Sequence, residues 1–256
     1  IIVGYPLYYQ EPFQRQFYIN DLTISHPFAK TQRVNNKMLS VYSIIVPLVS
    51  IVLIVAFLGD PRHRWYLLYA SVLGLFLSVS LTNVFTDFIK NWIGRLRPDF
   101  LARCKPRPGL PIDTLLNASE VCTTKNVSRL LDGFRTTPSG HSSQSFAGLG
   151  YLYLWLCGQL LTEFPQSGIW RKLVSLVPLV GALVIALSRT QDYRHHFIDV
   201  ILGSALGYVI ASYTYRIFFP SIDSPLPFKP LFDDSDVTLD DYKGHSENAE
   251  LDPLTA

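Results

Sequence analysis

Apolar runs close to one bilayer crossing in length recur five times along this chain, over residues 39–58, 65–89, 146–161, 173–187 and 197–219. A bilayer core takes about 20 helical residues per crossing. Within it, backbone polar groups find partners only inside a helix or a closed barrel. Uninterrupted runs of this length, without two-residue alternation, point to helices. The expected fold class is therefore all-α, a polytopic membrane helical bundle. Hydrophobic residues make up 48% of the chain and charged residues 16%, which suits that class better than a soluble enzyme. The net charge of +2 argues against a nucleic-acid partner, whose phosphates call for a broad basic surface.

The chain opens Ile1-Ile2-Val3-Gly4, without a methionine, and meets a polar boundary at Tyr9-Gln10-Glu11. This start reads as the remaining end of a first span, giving six in the full protein with the first truncated here. Residues 1–222 then form a transmembrane domain. Residues 223–256 form a tail that is acidic and poor in aromatics from Asp233 onward, and it is expected to be solvated, disordered and cytosolic. Pro47 is expected to kink the first visible run. Alternating crossings place the first loop, the 91–140 loop and the 188–196 turn on one face. The Arg62 and Arg171 turns and the tail fall on the other.

Three clusters carry chemistry, and all lie on the first face. Lys90 and Arg97-Pro98 stand where the second visible run ends. Basic residues at such an exit commonly anchor a helix at the headgroups. A point charge and, seven residues beyond it, a planar fork would also clamp a phosphate. Pro138-Ser139-Gly140-His141 precedes the next run. It reads either as loop punctuation with a helix cap or as a helix N-terminus presenting free N–H groups to an anion, with a histidine beside it. Ser188-Arg189, His195 and Asp199 bridge the last two runs. Spaced four apart, His195 and Asp199 would share a helix face, the carboxylate fixing the imidazole tautomer. The bland alternative pairs Asp199 with Arg194 in an interfacial turn. His196 is a chemically equivalent nucleophile, but only His195 has the i+4 carboxylate. No His, Asp or Glu group has metal-site spacing, so neither a metal nor another cofactor is expected.

These residues match KxxxxxxRP, PSGH and SRxxxxxHxxxD. The chain thereby resembles the type 2 phosphatidate phosphatase (lipid phosphate phosphatase) superfamily. Stretches outside the motifs, Arg15-Gln16-Phe17-Tyr18-Ile19-Asn20-Asp21 and Pro227-Phe228-Lys229-Pro230-Leu231, are similar to the fungal members that act on diacylglycerol pyrophosphate. The resemblance implies a six-span enzyme that converts diacylglycerol pyrophosphate to phosphatidate and then to diacylglycerol through a phosphohistidine. It implies His195 as nucleophile, Asp199 as its orienting partner and His141 as acid and base. Lys90, Arg97, Arg189, Ser139 and Gly140 would bind the phosphate. It also implies a phospholipid substrate and a vacuolar membrane, and leaves oligomeric state open. The alternatives are a broader phosphatase preferring phosphatidate or lysophosphatidate, and a phospholipid-binding or transport protein. Vanadium haloperoxidases share a similar anion pocket but are soluble, which five apolar runs oppose.

Asn117-Ala118-Ser119 and Asn126-Val127-Ser128 are glycosylation tripeptides in the 91–140 loop, which also holds Cys104 and Cys122. The two cysteines could pair in an oxidising lumen, and Cys157 reads as packing. The loop is basic, which the positive-inside rule would place in the cytosol. Lys90 and Arg97 have a site to serve, however, so the active face is expected to be lumenal.

Overall fold

The computed structural model describes residues 10–165 and 167–239. The presumed remnant of a first span at residues 1–9 and the end of the tail at 240–256 lie outside the described residues. The fold is all-helical; after a short 3-10 helix at Leu22–Ile24, the helices in chain order are α1 (Asn36–Leu58), α2 (Arg64–Ile93), α3 (Phe100–Cys104), α4 (Ala118–Val121), α5 (Val127–Asp132), α6 (Gly140–Gln159), α7 (Ile169–Gln191) and α8 (Phe197–Phe218). Among the described residues the extended pairings are the isolated bridges Phe17–Leu116 and Pro106–Cys122.

Among the described residues, four helices, α1, α2, α7 and α8, are long and apolar enough to cross a membrane. The fifth expected crossing is α6, whose 20 residues also suffice in length. It packs against α8, α7, α2 and α1. Walled by protein rather than lipid, it needs no apolar exterior and carries buried Ser142, Ser143, Ser145, Gly148 and Gly158. Its neighbours meet it partly through hydrogen bonds. Ser78 Oγ donates to Ala147 O (2.9 Å), Thr86 and Ser143 share a hydroxyl bond (2.8 Å), and Trp155 Nε1 donates to Ser71 Oγ (2.8 Å).

Local sequence explains the irregularities. Pro47 has no N–H to give the preceding turn, and α1 widens just before it into a π turn over Val41–Ile45. Asn35 caps α1 by accepting from Met38 N at 2.9 Å. Gly94 ends α2 in the left-handed region (φ +60), as glycine does without steric penalty. The chain therefore turns at Gly94, one helical turn beyond Lys90, and Arg97 joins Lys90 on the wall of one cavity.

The first loop, the 91–140 loop and the 188–196 turn gather at one end. Phe17, Phe100 and Phe134 pack edge to face with centroids 5.0 and 4.9 Å apart, and a disulfide joins Cys104 to Cys122. Closing a loop of this size stabilises by roughly 3 kcal/mol. Main-chain bonds from Phe13 N to Asn91 O and from His26 N to Pro98 O tie the first loop down. At the opposite end the structure differs from the expected solvated tail. Phe228 and Val237 are buried with Leu161, Gln159 Nε2 donates to Phe228 O at 2.9 Å, and Asp233 accepts from His63 Nδ1 at 3.0 Å. The acidic composition conceals two apolar anchors and carboxylates that match the Arg62-His63 turn.

On α8, Gly203 and Gly207 form a small-residue stripe facing α6. A Cβ on Gly207 would overlap the carbonyl of Ser143, and one on Gly203 would lie 2.5 Å from the carbonyl of Ser139. Small residues at this spacing let membrane helices approach closely. Gly207→Ala should lower the thermal midpoint in detergent by the several degrees expected of about 1–3 kcal/mol of overpacking. Gly181→Ala, whose Cβ would make ordinary contact at 3.7 Å with Leu149 Cδ1, should leave the midpoint near that of the parent. Equal effects would show that the α6–α8 approach is not tight.

Candidate active site

The loop-bearing end encloses a cavity of about 530 Å³. Lys90, Arg97, Gly140, His141, Arg189 and His195, six of the eight residues singled out from sequence, line it. Ser139 and Asp199, both fully buried, lie behind the wall and hold it together. Ser139 caps α6, its Oγ accepting from Ser142 Oγ at 2.9 Å and from Ser142 N at 3.4 Å. Its own N–H donates to Asp199 O at 2.9 Å, stitching the start of α6 to the first turn of α8.

The cations are held by acceptors. Lys90 Nζ donates to Pro138 O (2.6 Å) and Arg135 O (3.2 Å). Arg97 gives Nε to Asp132 O (2.8 Å), Nη2 to Asp132 Oδ1 (2.9 Å) and Nη1 to Arg194 O (3.3 Å). Arg189 gives Nη2 to Asp192 Oδ2 (2.7 Å), Nη1 to Gln32 Oε1 (3.0 Å) and Nε to Ser188 Oγ (3.1 Å). A guanidinium has five donors, so Arg97 and Arg189 each keep N–H groups for a ligand.

His195 is 5% exposed. Its Nδ1 lies 2.7 Å from Thr136 O and 3.2 Å from Thr136 Oγ1. A carbonyl only accepts, so Nδ1 carries the proton and the Nε2 lone pair is left free. Burial, then the charges of Arg97 and Lys90, push the His195 pKa well below its ordinary 6.5, keeping the ring neutral. His141 shows the converse arrangement. Its Nε2 lies 3.1 Å from Val34 O and so carries the proton, leaving Nδ1 as the free nitrogen.

Asp199 does not bond to His195, contrary to the reading from spacing. The i, i+4 argument requires both residues on one helix, whereas His195 precedes the cap of α8 and His196 is that cap. Asp199, in the first turn, folds back on His196, accepting from its N at 2.8 Å and lying 3.1 Å from its Nδ1. It also accepts from Thr136 Oγ1 (2.7 Å), Thr137 Oγ1 (2.5 Å) and Arg95 Nη1 (3.2 Å). Asp199 thus reaches His195 through Thr136. The alternative partner, Arg194, stacks on Phe28 at 4.6 Å instead. His196 does not line this cavity; His195 does.

Residues outside the three clusters complete the wall. Gln32 and Asn36 come from the first loop and the start of α1, and Asn83 and Asp87 from α2. Asp132, Arg135 and Arg194 come from the loops around the site. Polar Asn83 and Asp87 inside an apolar run were the signal for α2, and Arg194 stood out in the sequence only as an alternative partner for Asp199. Gln32 and Asp132 reach the site by tertiary folding alone. Among the described residues, no group of three His, Cys, Asp or Glu is placed to hold a metal ion.

The family model described as the PAP2 superfamily matches residues 71–223, a stretch that contains all eight of these residues. The chain belongs to the PAP2 superfamily. It is 66% identical over its full length to diacylglycerol pyrophosphate phosphatase 1 of Saccharomyces cerevisiae, covering 89% of that protein. It is 42% identical to a probable diacylglycerol pyrophosphate phosphatase 1 of Schizosaccharomyces pombe, over 83% of this chain and 75% of that one. It is also 41% identical to lipid phosphate phosphatase 2 of Arabidopsis thaliana, over 68% of this chain and 61% of that one. No solved structure matches.

A neutral His195 in this PAP2 site has a consequence for stability. Its folded pKa lies below its unfolded value, so the unfolded chain binds the extra proton first. Stability is unaffected well above pH 6.5 and falls as pH drops below it. The thermal midpoint should therefore fall between about pH 6.5 and 5, and His195→Gln should flatten part of that decline. An unchanged slope in the variant would mean that His195 is not held neutral.

Proposed function

We propose that this protein is a membrane phosphatase that hydrolyses diacylglycerol pyrophosphate to phosphatidate, and phosphatidate to diacylglycerol, through a phosphohistidine on His195 and without a metal. The observation that carries the reading is the free Nε2 of His195 on the wall of a cavity that also presents Lys90, Arg97 and Arg189. A nucleophile with its other nitrogen pinned at 2.7 Å to Thr136 O needs no reorientation before attack. The names of the yeast and plant relatives support the substrate class.

In this mechanism the terminal phosphate enters among Lys90, Arg97 and Arg189, whose charges neutralise its oxygens as the transition state forms. His195 Nε2 attacks phosphorus and the bond to the bridging oxygen breaks. His141 takes up a proton from solvent on its free Nδ1 as the phosphate anion binds beside it, and gives that proton to the departing phosphatidate. The same Nδ1 then takes a proton from water as the water oxygen attacks phosphorus. The P–N bond breaks, inorganic phosphate leaves and His195 is regenerated. Asp199 acts at one remove, fixing Thr136 and the His196 turn so that His195 keeps its direction.

Because α1, α2, α7 and α8 suit a bilayer and the cavity lies where α2 ends, acyl chains can stay in lipid while the headgroup reaches the site. The disulfide and both glycosylation tripeptides fall in the loop at this end. They support a lumenal active face and a cytosolic tail, and the vacuolar membrane follows from the resemblance.

The test is phosphate release from labelled diacylglycerol pyrophosphate in EDTA. The wild type should remain active, and His195→Ala should fall by at least the roughly thousandfold typical of losing a covalent nucleophile. In sealed vesicles with the cytosolic face outward, activity should stay latent until detergent is added. Loss of wild-type activity in EDTA, or turnover by His195→Ala, would overturn the mechanism. Full activity without detergent would reverse the sidedness.

A further inference from the structure

The carboxylate of Asp132 lies among three guanidiniums at the cavity wall. Oδ1 accepts from Arg97 Nη2 at 2.9 Å and Oδ2 from Arg103 Nη1 at 2.8 Å, with Arg194 Nη1 3.9 Å from Oδ2. Its main-chain carbonyl accepts Arg97 Nε at 2.8 Å. One residue therefore grips Arg97 at two of its three nitrogens, with carbonyl and carboxylate together. Asp132 itself is anchored from below. Arg103 is fully buried and closes a two-pronged pair with Asp99 at 2.8 and 3.0 Å, and Phe28 stacks against both Arg103 (5.1 Å) and Arg194 (4.6 Å). Asp132 stands at the end of α5, outside the three clusters that carried the sequence reading.

We propose that Asp132 is a positioning residue that acts through Arg97, setting the plane of its guanidinium so that the N–H groups left on Nη1 and Nη2 meet the equatorial oxygens of a transferring phosphoryl group. This rests on the phosphatase reading given above. A guanidinium binds phosphate through a planar fork, so its usefulness depends on orientation as well as charge. A long side chain lining a solvated cavity would otherwise sample many rotamers. Holding Nε and one edge of the fork removes that freedom before substrate arrives. Burial alone would raise the Asp132 carboxyl, but Arg97 and Arg103 hold it down to about 2, so the grip is ionic throughout the working pH range. A negative charge beside a phosphate site would by itself weaken anion binding. The arrangement is therefore useful only if the orientation gained outweighs that repulsion, and the two effects predict opposite signs on mutation.

The experiment is a double-mutant cycle on the full-length protein in detergent, reading inhibition by orthovanadate, a mimic of the phosphoryl transition state, together with kcat and KM. Asp132→Asn preserves volume but presents a donor to one of its arginines. It should raise the vanadate inhibition constant by about tenfold or more, as loss of a charged hydrogen bond does, with most of the kinetic loss in kcat. Asp132→Glu should recover part of it. In an Arg97→Lys background, which lacks the fork, Asp132→Asn should add less than about twofold, since residues acting through one another are not additive. Vanadate binding in Asp132→Asn as tight as in wild type, or tighter, would overturn the proposal. So would an effect of Asp132→Asn that is undiminished in Arg97→Lys protein, the mark of a general structural role. Should Asp132→Asn fold poorly, the same comparison between Asp132→Glu and wild type decides, with no change in vanadate affinity counting against positioning. A wild type that neither hydrolyses lipid phosphate nor responds to vanadate would instead remove the phosphatase reading itself.

Discussion

Gathering like charges around one cavity is costly, and the site end of this protein is arranged around meeting that cost. Two unit charges about 7 Å apart repel by roughly 2 kcal/mol at an effective dielectric of about 20, and Lys90, Arg97, Arg135, Arg189 and Arg194 all line the cavity. A hydrogen bond to a charged group returns a comparable amount, about 1.5–3 kcal/mol. Lys90, Arg97 and Arg189 are accordingly each given acceptors of their own. Lys90 takes two main-chain carbonyls, Arg97 takes both acceptors of Asp132, and Arg189 takes Asp192 and Gln32. Those acceptors come from the first loop, the 91–140 loop and the 188–196 turn. The loops are therefore part of the charge balance, and the phenylalanine cluster and disulfide that fix them serve the same end.

The membrane helices meet the constraint differently. They must bring main-chain groups of the Ser139 cap and the start of α8 within hydrogen-bonding distance while surrounded by lipid. Small residues accomplish this: Gly203 and Gly207 let α8 lie against the serine-rich face of α6. Ser139 N then reaches Asp199 O. Asp199, tied in turn to Thr136 and Thr137, transmits the helix contact to the backbone that orients His195. Packing in the bilayer and tautomer choice in the site are linked through one carboxylate.

The fold class and most of the site were legible because their signals are local. Runs of about 20 apolar residues mark helices whatever surrounds them, and the lysine, arginines and histidines sit in short motifs at helix ends. Less legible was anything that depends on where a helix begins. His195 and Asp199 are four apart, yet α8 starts between them, so the carboxylate turns to His196, and what sets His195 apart from His196 is its access to the cavity. The tail misled for a similar reason. Its acidic composition says nothing of Phe228 and Val237 finding Leu161 across the bundle end. Gly203-x3-Gly207 was a readable signal whose value emerges once α6 is known to be the central helix. Gln32 and Asp132 carry no local mark at all, since their roles arise from segments distant in sequence.

The most direct measurement of the central claim is to trap the covalent intermediate. The His141→Ala protein should be mixed with lipid pyrophosphate labelled in its terminal phosphate, quenched within milliseconds to seconds, and the modified residue mapped under alkaline conditions that preserve phosphohistidine. The account predicts phosphate on Nε2 of His195, labile to acid and accumulating because phosphatidate, a leaving group of low pKa, departs with less need of the His141 acid than water has of the His141 base. Label on His196, or turnover without any phosphoenzyme, would contradict it.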